Sequence, residues 1–424
     1  MNWKQVQIVA PFLNLLFQQV NYNQMEEKNI QLGLKENWRQ FTLLLIVNAF
    51  VGGMVGLERT ILPKLAEEEF SIIATSTVLS FIIVFGAVKA FTNYFTGVLA
   101  NSIGRKNLLI IGWLIAIPIP FILIHAQHWN WIIFANVLLG VNQGLTWSST
   151  VVMKIDLVGE KHRGLAMGLN ESFGYFSIAL VAFTTGWIAS EYGLRPYPFY
   201  QGIGFVVLGL LISIFFIKDT AKHVAAETKI NDIKPLKNIF WDTTWKDNNL
   251  GSISQAGFIN NLNDGMIWGV LPIILANRGF GLKNIAIIVA VYPAIWGIGQ
   301  LVTGKLSDHY NKKMMLFIGM ALQGIALILM FWATSLIQFL TLSSILGAGT
   351  AIVYPTFLSA IASFTHPKQR AQSIGVFRLW RDLGYAFGAL LTISMAQFFE
   401  VDITIITIGV LTIISSIIIK TRMT

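Results

Sequence analysis

Long apolar runs separated by short polar breaks recur twelve times between Phe41 and Ile419. Each run is long enough to cross the roughly 30 Å of hydrocarbon in a bilayer as an α-helix. The pattern predicts spans near 41–63, 71–97, 107–125, 130–152, 165–189, 198–217, 249–275, 284–303, 314–333, 337–362, 372–397 and 402–419, numbered 1 to 12 below. The succession of ~10-residue alternating segments that marks a membrane β-barrel is missing. The expected fold class is therefore an all-α integral membrane protein.

Two stretches break the rhythm. Residues 1–40 are mixed, and Trp3–Val20 contains Pro11, Asn14, Gln18 and Gln19, which makes it polar for a span. It lacks the charged start of a signal peptide, and an amphipathic segment lying in the interface stands ahead of an extra spanning helix. Residues 218–248 are a polar, lysine-rich linker. They divide the chain into two blocks of six spans, 41–217 and 249–424.

Composition agrees with this picture: 54% hydrophobic and 12% charged residues, with a mean hydropathy of +0.64. The net charge of +9 is a topology signal rather than a sign of nucleic-acid binding. With the N-terminus in the cytoplasm, the cytoplasmic segments hold every one of the 30 lysines and arginines except Arg59, Lys64, Arg195, Arg278, Lys283 and the intramembrane Lys89. Twelve crossings then leave both termini in the cytoplasm of a cytoplasmic-membrane protein. There are no cysteines, so disulfides and thiolate chemistry are excluded. The six histidines show no HExxH spacing, and no G-x-x-x-x-G-K-[ST] loop occurs. No metal or cofactor is expected, and ATP does not drive the chain directly.

The two blocks match each other in register. At an offset of 207 positions Gly97 falls on Gly304, Leu99 on Leu306, Arg105 on Lys312, Lys106 on Lys313, Gly112 on Gly319, Gly140 on Gly347, Arg163 on Arg370 and Gly168 on Gly375. Near the start of each block the offset is 209, pairing Gly56 with Gly265 and Pro63 with Pro272. Holding one register across four spans, basic residues included, points to a tandem duplication. Two parallel six-helix repeats place a binding site between the halves near mid-bilayer.

The stretch Gly97-Val-Leu-Ala-Asn-Ser-Ile-Gly104-Arg105-Lys106 between spans 2 and 3 resembles the G-x-L-a-D-r-x-G-r-k loop of the major facilitator superfamily. Its second copy is Gly304-Lys-Leu-Ser-Asp308-His-Tyr-Asn-Lys312-Lys313. Asn101 replaces the aspartate in the first copy, and Asp308 keeps it in the second. The resemblance covers about residues 41–420 and lies with the drug-efflux and sugar-permease branches. It implies twelve helices in two pseudo-symmetric bundles and a gate in which Arg105 and Lys106 meet a carboxylate, for which Asp156 is nearest by topology. The chain departs from the family's proton-coupled drug exporters, which carry an arginine early in span 4 and a Gly-Pro in span 5. Asn136 and Gly174-Tyr-Phe-Ser-Ile-Ala-Leu stand there instead.

Ionisable groups within spans are costly, so each is a functional candidate. They are Glu58, Lys89, Glu171, Asp264, Arg378, Arg381 and Asp382. In the resembled fold they sit on helices lining the central cavity or the seam. Asn260, Asn261, Asp264 and Trp268 share one face of span 7 and form a polar-aromatic stripe suited to a polar solute. Lys89 and Asn93 are one turn apart on span 2, and the resemblance, in which spans 2 and 11 are neighbours, makes Asp382 the first choice of partner for Lys89. Arg378 and Asp382 stand at i,i+4 and are expected to neutralise each other, leaving Arg381 free. Glu171, which matches Arg378 in register, is a candidate proton carrier.

The resemblance implies a monomeric secondary transporter of a small solute, working by alternating access and coupled to protons. Export of an organic compound stands ahead of uptake of a polar or anionic metabolite. A non-transporting sensor would need a longer signalling loop or tail. An enzyme would need a nucleophile–base pair or metal ligands at membrane depth, and neither is visible.

Overall fold

A computed structural model describes residues 30–59, 61–72, 80–230, 232–398 and 401–424. The interfacial segment expected within residues 1–40 falls largely outside the described residues. The chain divides into two units between Gln31 and Leu32, and the fold below is that of Leu32–Thr424. Among the described residues there is no strand.

In the first half, span 1 is Trp38–Arg59 continued by Leu62–Phe70, span 2 is Ser80–Ile103, and span 3 is Arg105–Ala116 continued by Pro118–His125. Spans 4, 5 and 6 are Trp129–Val158, Arg163–Tyr192 and Tyr200–Phe215. In the second half, spans 7 to 12 are Asn248–Asn277, Leu282–Leu306, Lys312–Met330, Leu336–Phe364, Pro367–Phe398 and Val401–Arg422. The linker contributes a further helix, Ala221–Ile230.

Side-chain caps set several starts. The Asp247 carboxylate accepts from the amides of Asn249 and Leu250 at span 7, and Ser335 and Gln338 form a capping box at span 10. Gly104, at φ +91°, turns the chain from span 2 into span 3, a conformation that few other residues adopt.

Nine of these spans are long and apolar enough to cross a membrane by length and composition. The remaining three are spans 4, 7 and 11, which carry Asn142 and Gln143, Asn260 to Asp264, and Arg378 to Asp382. Their polar faces are buried in protein, so hydropathy measured against lipid understates them. Span 2, described from Ser80 onward, runs to Ile103, past the end expected near 97, so the loop motif from Gly97 to Asn101 is the last turns of a helix. The apolar run marks where hydrocarbon ends, whereas hydrogen bonding carries the helix further.

Packing repeats between the halves. Span 1 packs on 5 and 6, span 4 on 2 and 3, and span 3 on 6. Their images follow: span 7 on 11 and 12, span 10 on 8 and 9, and span 9 on 12. Across the seam, span 2 packs on 11 and span 5 on 8, each pair the image of the other. These contacts are tightest toward the ends carrying Arg105 and Lys312, called the basic face below. A Cβ on Gly97 would stand 2.9 Å from the Gly375 Cα, and one on Gly304 would stand 2.8 Å from the Gly168 Cα. The basic face is therefore closed by two backbone-to-backbone approaches, related by the repeat, that admit only glycine.

The cysteine-free chain gives this closure a clean test. A variant with Asn101→Cys and Lys368→Cys, positions joined by a 2.6 Å hydrogen bond from the Asn101 Nδ2 to the Lys368 carbonyl, should cross-link in membranes. The readout is mobility after cleavage at a protease site placed in the linker. Adding Gly97→Val should lower the yield severalfold, and an unchanged yield would mean that the glycine approach does not hold the face shut.

Candidate functional site

Charges on the basic face form one connected network. The Arg105 Nε stands 3.5 Å from the Asp156 Oδ2, and both are buried at the meeting of spans 3 and 4. Arg370 approaches the other oxygen of Asp156 at 3.7 Å, and the Thr220 hydroxyl donates to Asp156 at 2.8 Å. Arg370 also donates twice to Glu227 of the linker helix, at 2.8 and 2.6 Å, and Arg163 pairs with the same carboxylate. Arg163 and Arg370 are images of each other, so one linker glutamate clasps equivalent arginines at the feet of spans 5 and 11. Burial pushes the Glu227 carboxyl up, but hydrogen bonds and charge from Arg370 and Arg163 outweigh it and hold its pKa below the ordinary value.

The two loop motifs act differently. Asp308 caps span 5 across the seam, accepting from the amides of Gly164 at 2.6 Å and Leu165 at 2.9 Å, where a helix N-terminus favours an anion. Its image Asn101 donates to a carbonyl at the start of span 11. The Lys106 amide donates to Asp219 at 2.9 Å, and its ammonium to the Ile214 carbonyl at 2.8 Å. Lys312 and Lys313 open span 9 half-buried and make no ion pair among the described residues.

At mid-depth the seam gathers buried charge. Arg378 does not pair with Asp382 as helical spacing suggests. It crosses to the first half, donating to the Ser148 hydroxyl at 2.7 Å and standing 3.9 Å from Glu171. Glu171 also accepts from Asn170 at 2.6 Å and from the Trp147 indole at 3.3 Å. Arg381, expected to be free, folds back on Asp382 at 2.7 Å. The other Asp382 oxygen accepts from the Asn93 amide at 2.5 Å. Asp382 is thus held by Arg381 and Asn93 and makes no ion pair with Lys89. The half-buried Lys89 ammonium lies over the rings of Phe85 at 5.6 Å and Trp147 at 5.5 Å, with no ion pair among the described residues. Local spacing fails here because two interdigitated bundles offer each arginine partners that its own helix cannot.

Span 7 splits by face. Asp264 is buried and accepts from the hydroxyls of Tyr292 and, at 3.3 Å, Tyr385. Asn260 and Asn261 are buried one turn below it, and the Asn260 amide donates to Asn261 at 3.4 Å. Asn263 points the other way, bonded to Gln323 and Thr412 of spans 9 and 12, and Gln255 reaches the Ser415 carbonyl. Those two are glue within the second half. The Trp268 side chain falls outside the described residues. Glu58 is buried near the end of span 1, away from the basic face.

Sequence reasoning did not single out Glu227. The available signal was the matched pair Arg163 and Arg370, two cations at one register that together require an acid. The aromatic side chains of the seam, Tyr175, Trp296 and Tyr354, were likewise missed, because aromatic residues within spans look like ordinary core.

Comparison with known proteins follows from this geometry. The model of the Major Facilitator Superfamily matches residues 42–251 and 253–422. The multidrug resistance protein MdtG of Salmonella arizonae is 23% identical over 311 residues, covering 72% of this chain and 74% of that protein. MdtG of Enterobacter lignolyticus is 23% identical over 319 residues, 73% of each chain. The crystal structure of the human organic anion transporter MFSD10 (TETRAN) superimposes with a TM-score of 0.74 at 15% identity, covering 90% of this chain and 99% of that one.

The linker clasp carries a prediction. Glu227→Gln leaves two buried arginines facing each other and should lower stability by about 3–5 kcal/mol, the range for removing one partner of a buried pair. The folded-state pKa of Glu227 is depressed, so its contribution is present above the ordinary carboxylate range of about 4–5. It is lost as pH falls through the folded value. Thermal melting of the purified protein should show a downward shift at pH 7 that narrows below pH 4, and equal melting of the two proteins at pH 7 would refute the clasp.

Proposed function

Because this chain belongs to the Major Facilitator Superfamily and is a multi-pass membrane transporter, we propose that it exports a small organic solute by alternating access coupled to protons. The observation that carries this reading is the combination of a face sealed by glycine contacts and ion pairs with a layer of buried charge halfway across the seam. Such charge is expensive in a membrane and marks a path for a solute or a proton. The name of the relatives, multidrug resistance protein, supports the outward direction and an organic cargo.

In this reading the basic face is cytoplasmic, both termini lie in the cytoplasm, and the protein acts as a monomer. The resting state closes the cytoplasmic side. Asp264, enclosed by Tyr292 and Tyr385, carries the proton. As an anion it draws both hydroxyls inward, and protonation releases that hold on spans 8 and 11. The Glu171–Arg378 contact ties the halves at the same depth, and the Asp156, Glu227 and Asp308 contacts latch the face below. Solute and proton act only through their differential affinity for the two states.

A second reading, uptake of a polar or anionic metabolite, draws on Lys89, which makes no ion pair among the described residues and lies over aromatic rings. Direction separates the two. In proteoliposomes with an imposed pH gradient, a panel of labelled organic solutes should move against the proton gradient for export and with it for symport. Asp264→Asn should cut gradient-driven flux about tenfold or more while solute exchange without a gradient persists. Asn14→Ala serves as the control. Equal gradient-driven flux in the two variants would remove Asp264 from the coupling role.

A further inference from the structure

An unbroken train of rings runs through the seam, with a cation at each end. Lys89 lies over Trp147 at 5.5 Å, Trp147 meets Tyr175 edge-on at 5.9 Å, and Tyr175 lies against Trp296 at 4.3 Å. Trp296 then meets Tyr354 at 4.9 Å, and the Arg381 guanidinium caps Tyr354 at 5.4 Å. The rings come from spans 4, 5, 8 and 10, so both halves build the train. The 207-residue register carries Lys89 onto Trp296 and Trp147 onto Tyr354. One ancestral pair of positions therefore survives in both halves with different chemistry. It is a cation over an indole in the first half and an indole against a phenol in the second.

Charge around the train does not balance. Lys89, Arg378 and Arg381 face Glu171 and Asp382. Farther out, Lys154, buried with its ammonium on the Leu44 carbonyl, adds one cation, and Asp264 adds one carboxylate. With all seven of these described groups ionised a single positive charge is left over among them, and protonation of Asp264 adds a second; buried ions demand compensation. Donors are unspent as well. The Nε and Nη2 of the fully buried Arg378 have no hydrogen-bond partner, and neither does the buried Trp296 indole nitrogen.

We propose that the cargo is an aromatic organic anion. Its acidic group lies between Lys89 and Arg378, and its flat body is held against the indole and phenol faces of Trp147, Tyr175 and Trp296. The anion supplies the missing negative charge and accepts from the unspent guanidinium donors, which charge-assisted hydrogen bonds favour. Ring faces accept a flat partner by offset or edge-on contact. A purely inorganic anion leaves that wall unused, and an organic cation adds to the excess already there. The inference rests on the transport reading above and names its cargo class.

The test is equilibrium binding to the purified full-length protein in detergent, read by tryptophan fluorescence, with four probes. These are 2-naphthoate, the neutral 2-naphthamide of equal shape, the aliphatic anion hexanoate, and the cation tetraphenylphosphonium. Naphthoate should bind at least about tenfold more tightly than each of the other three. Lys89→Gln should weaken naphthoate about tenfold with little effect on naphthamide, and Lys89→Arg should restore it. Tighter binding of the cation or of the neutral amide by the unaltered protein overturns the proposal whatever the variants do. So does naphthoate affinity within about twofold of the unaltered protein in a folded Lys89→Gln. The transport reading fails separately. Naphthoate that binds but does not move in proteoliposomes sinks transport and keeps the anion site. Flux of other solutes with no naphthoate binding keeps transport and sinks the anion site.

Discussion

Buried charge facing buried charge across the seam is the interaction on which the rest of this structure depends. An ion at membrane depth has no water to fall back on, and removing one partner of a buried pair is strongly destabilising. The chain nevertheless sinks Glu171, Asp264, Arg378, Arg381 and Asp382 below the surface of its helices. Each finds a partner, and the contacts of Arg378 with Ser148 and Glu171, and of Asp382 with Asn93, run from one half to the other. Because these partners sit on opposite bundles, holding the charges and holding the bundles together are one requirement. A rocking motion that separates the halves must supply substitutes, and a solute or a proton is what can do so.

Duplication explains how the seam is closed and why it remains adjustable. Gly97 against Gly375 and Gly168 against Gly304 are the same contact made twice, and Arg163 and Arg370 are the same residue made twice and clasped by one glutamate. The copies have diverged where asymmetry is useful. Asp308 caps a helix with a full charge where Asn101 offers only an amide. The positions of Lys89 and Trp147 have become Trp296 and Tyr354, which gives the centre one charged end and one aromatic end.

Much of this was legible from the sequence. Twelve spans, the linker, the repeat and the loop motif follow from apolar run length, the distribution of basic residues and one register, because those signals are summed over many residues. The pairings at mid-depth were not legible. Spacing predicted Arg378 with Asp382, and the nearness of spans 2 and 11 in the resembled fold suggested Lys89 with Asp382, but the structure has Arg381 and Asn93 on that carboxylate instead. A rule about neighbours on one helix holds where solvent or lipid is the alternative partner, and fails where another helix presses a hydroxyl or carboxylate against the same face. Glu227 escaped notice because a linker looks solvated until a bundle closes over it. The second span was likewise read as ending too early, near 97 rather than at Ile103, since polarity marks the edge of the membrane more faithfully than the edge of a helix.

The most direct measurement of the central claim is a double-mutant cycle between Glu171→Gln and Arg378→Gln, read as thermal stability of the full-length protein. Contact across the seam predicts a coupling of about 0.5–3 kcal/mol, so the double variant should lose clearly less than the two single losses combined. Additivity to within about 0.3–0.5 kcal/mol would mean that the two charges do not meet, and that something other than their attraction holds the halves in register.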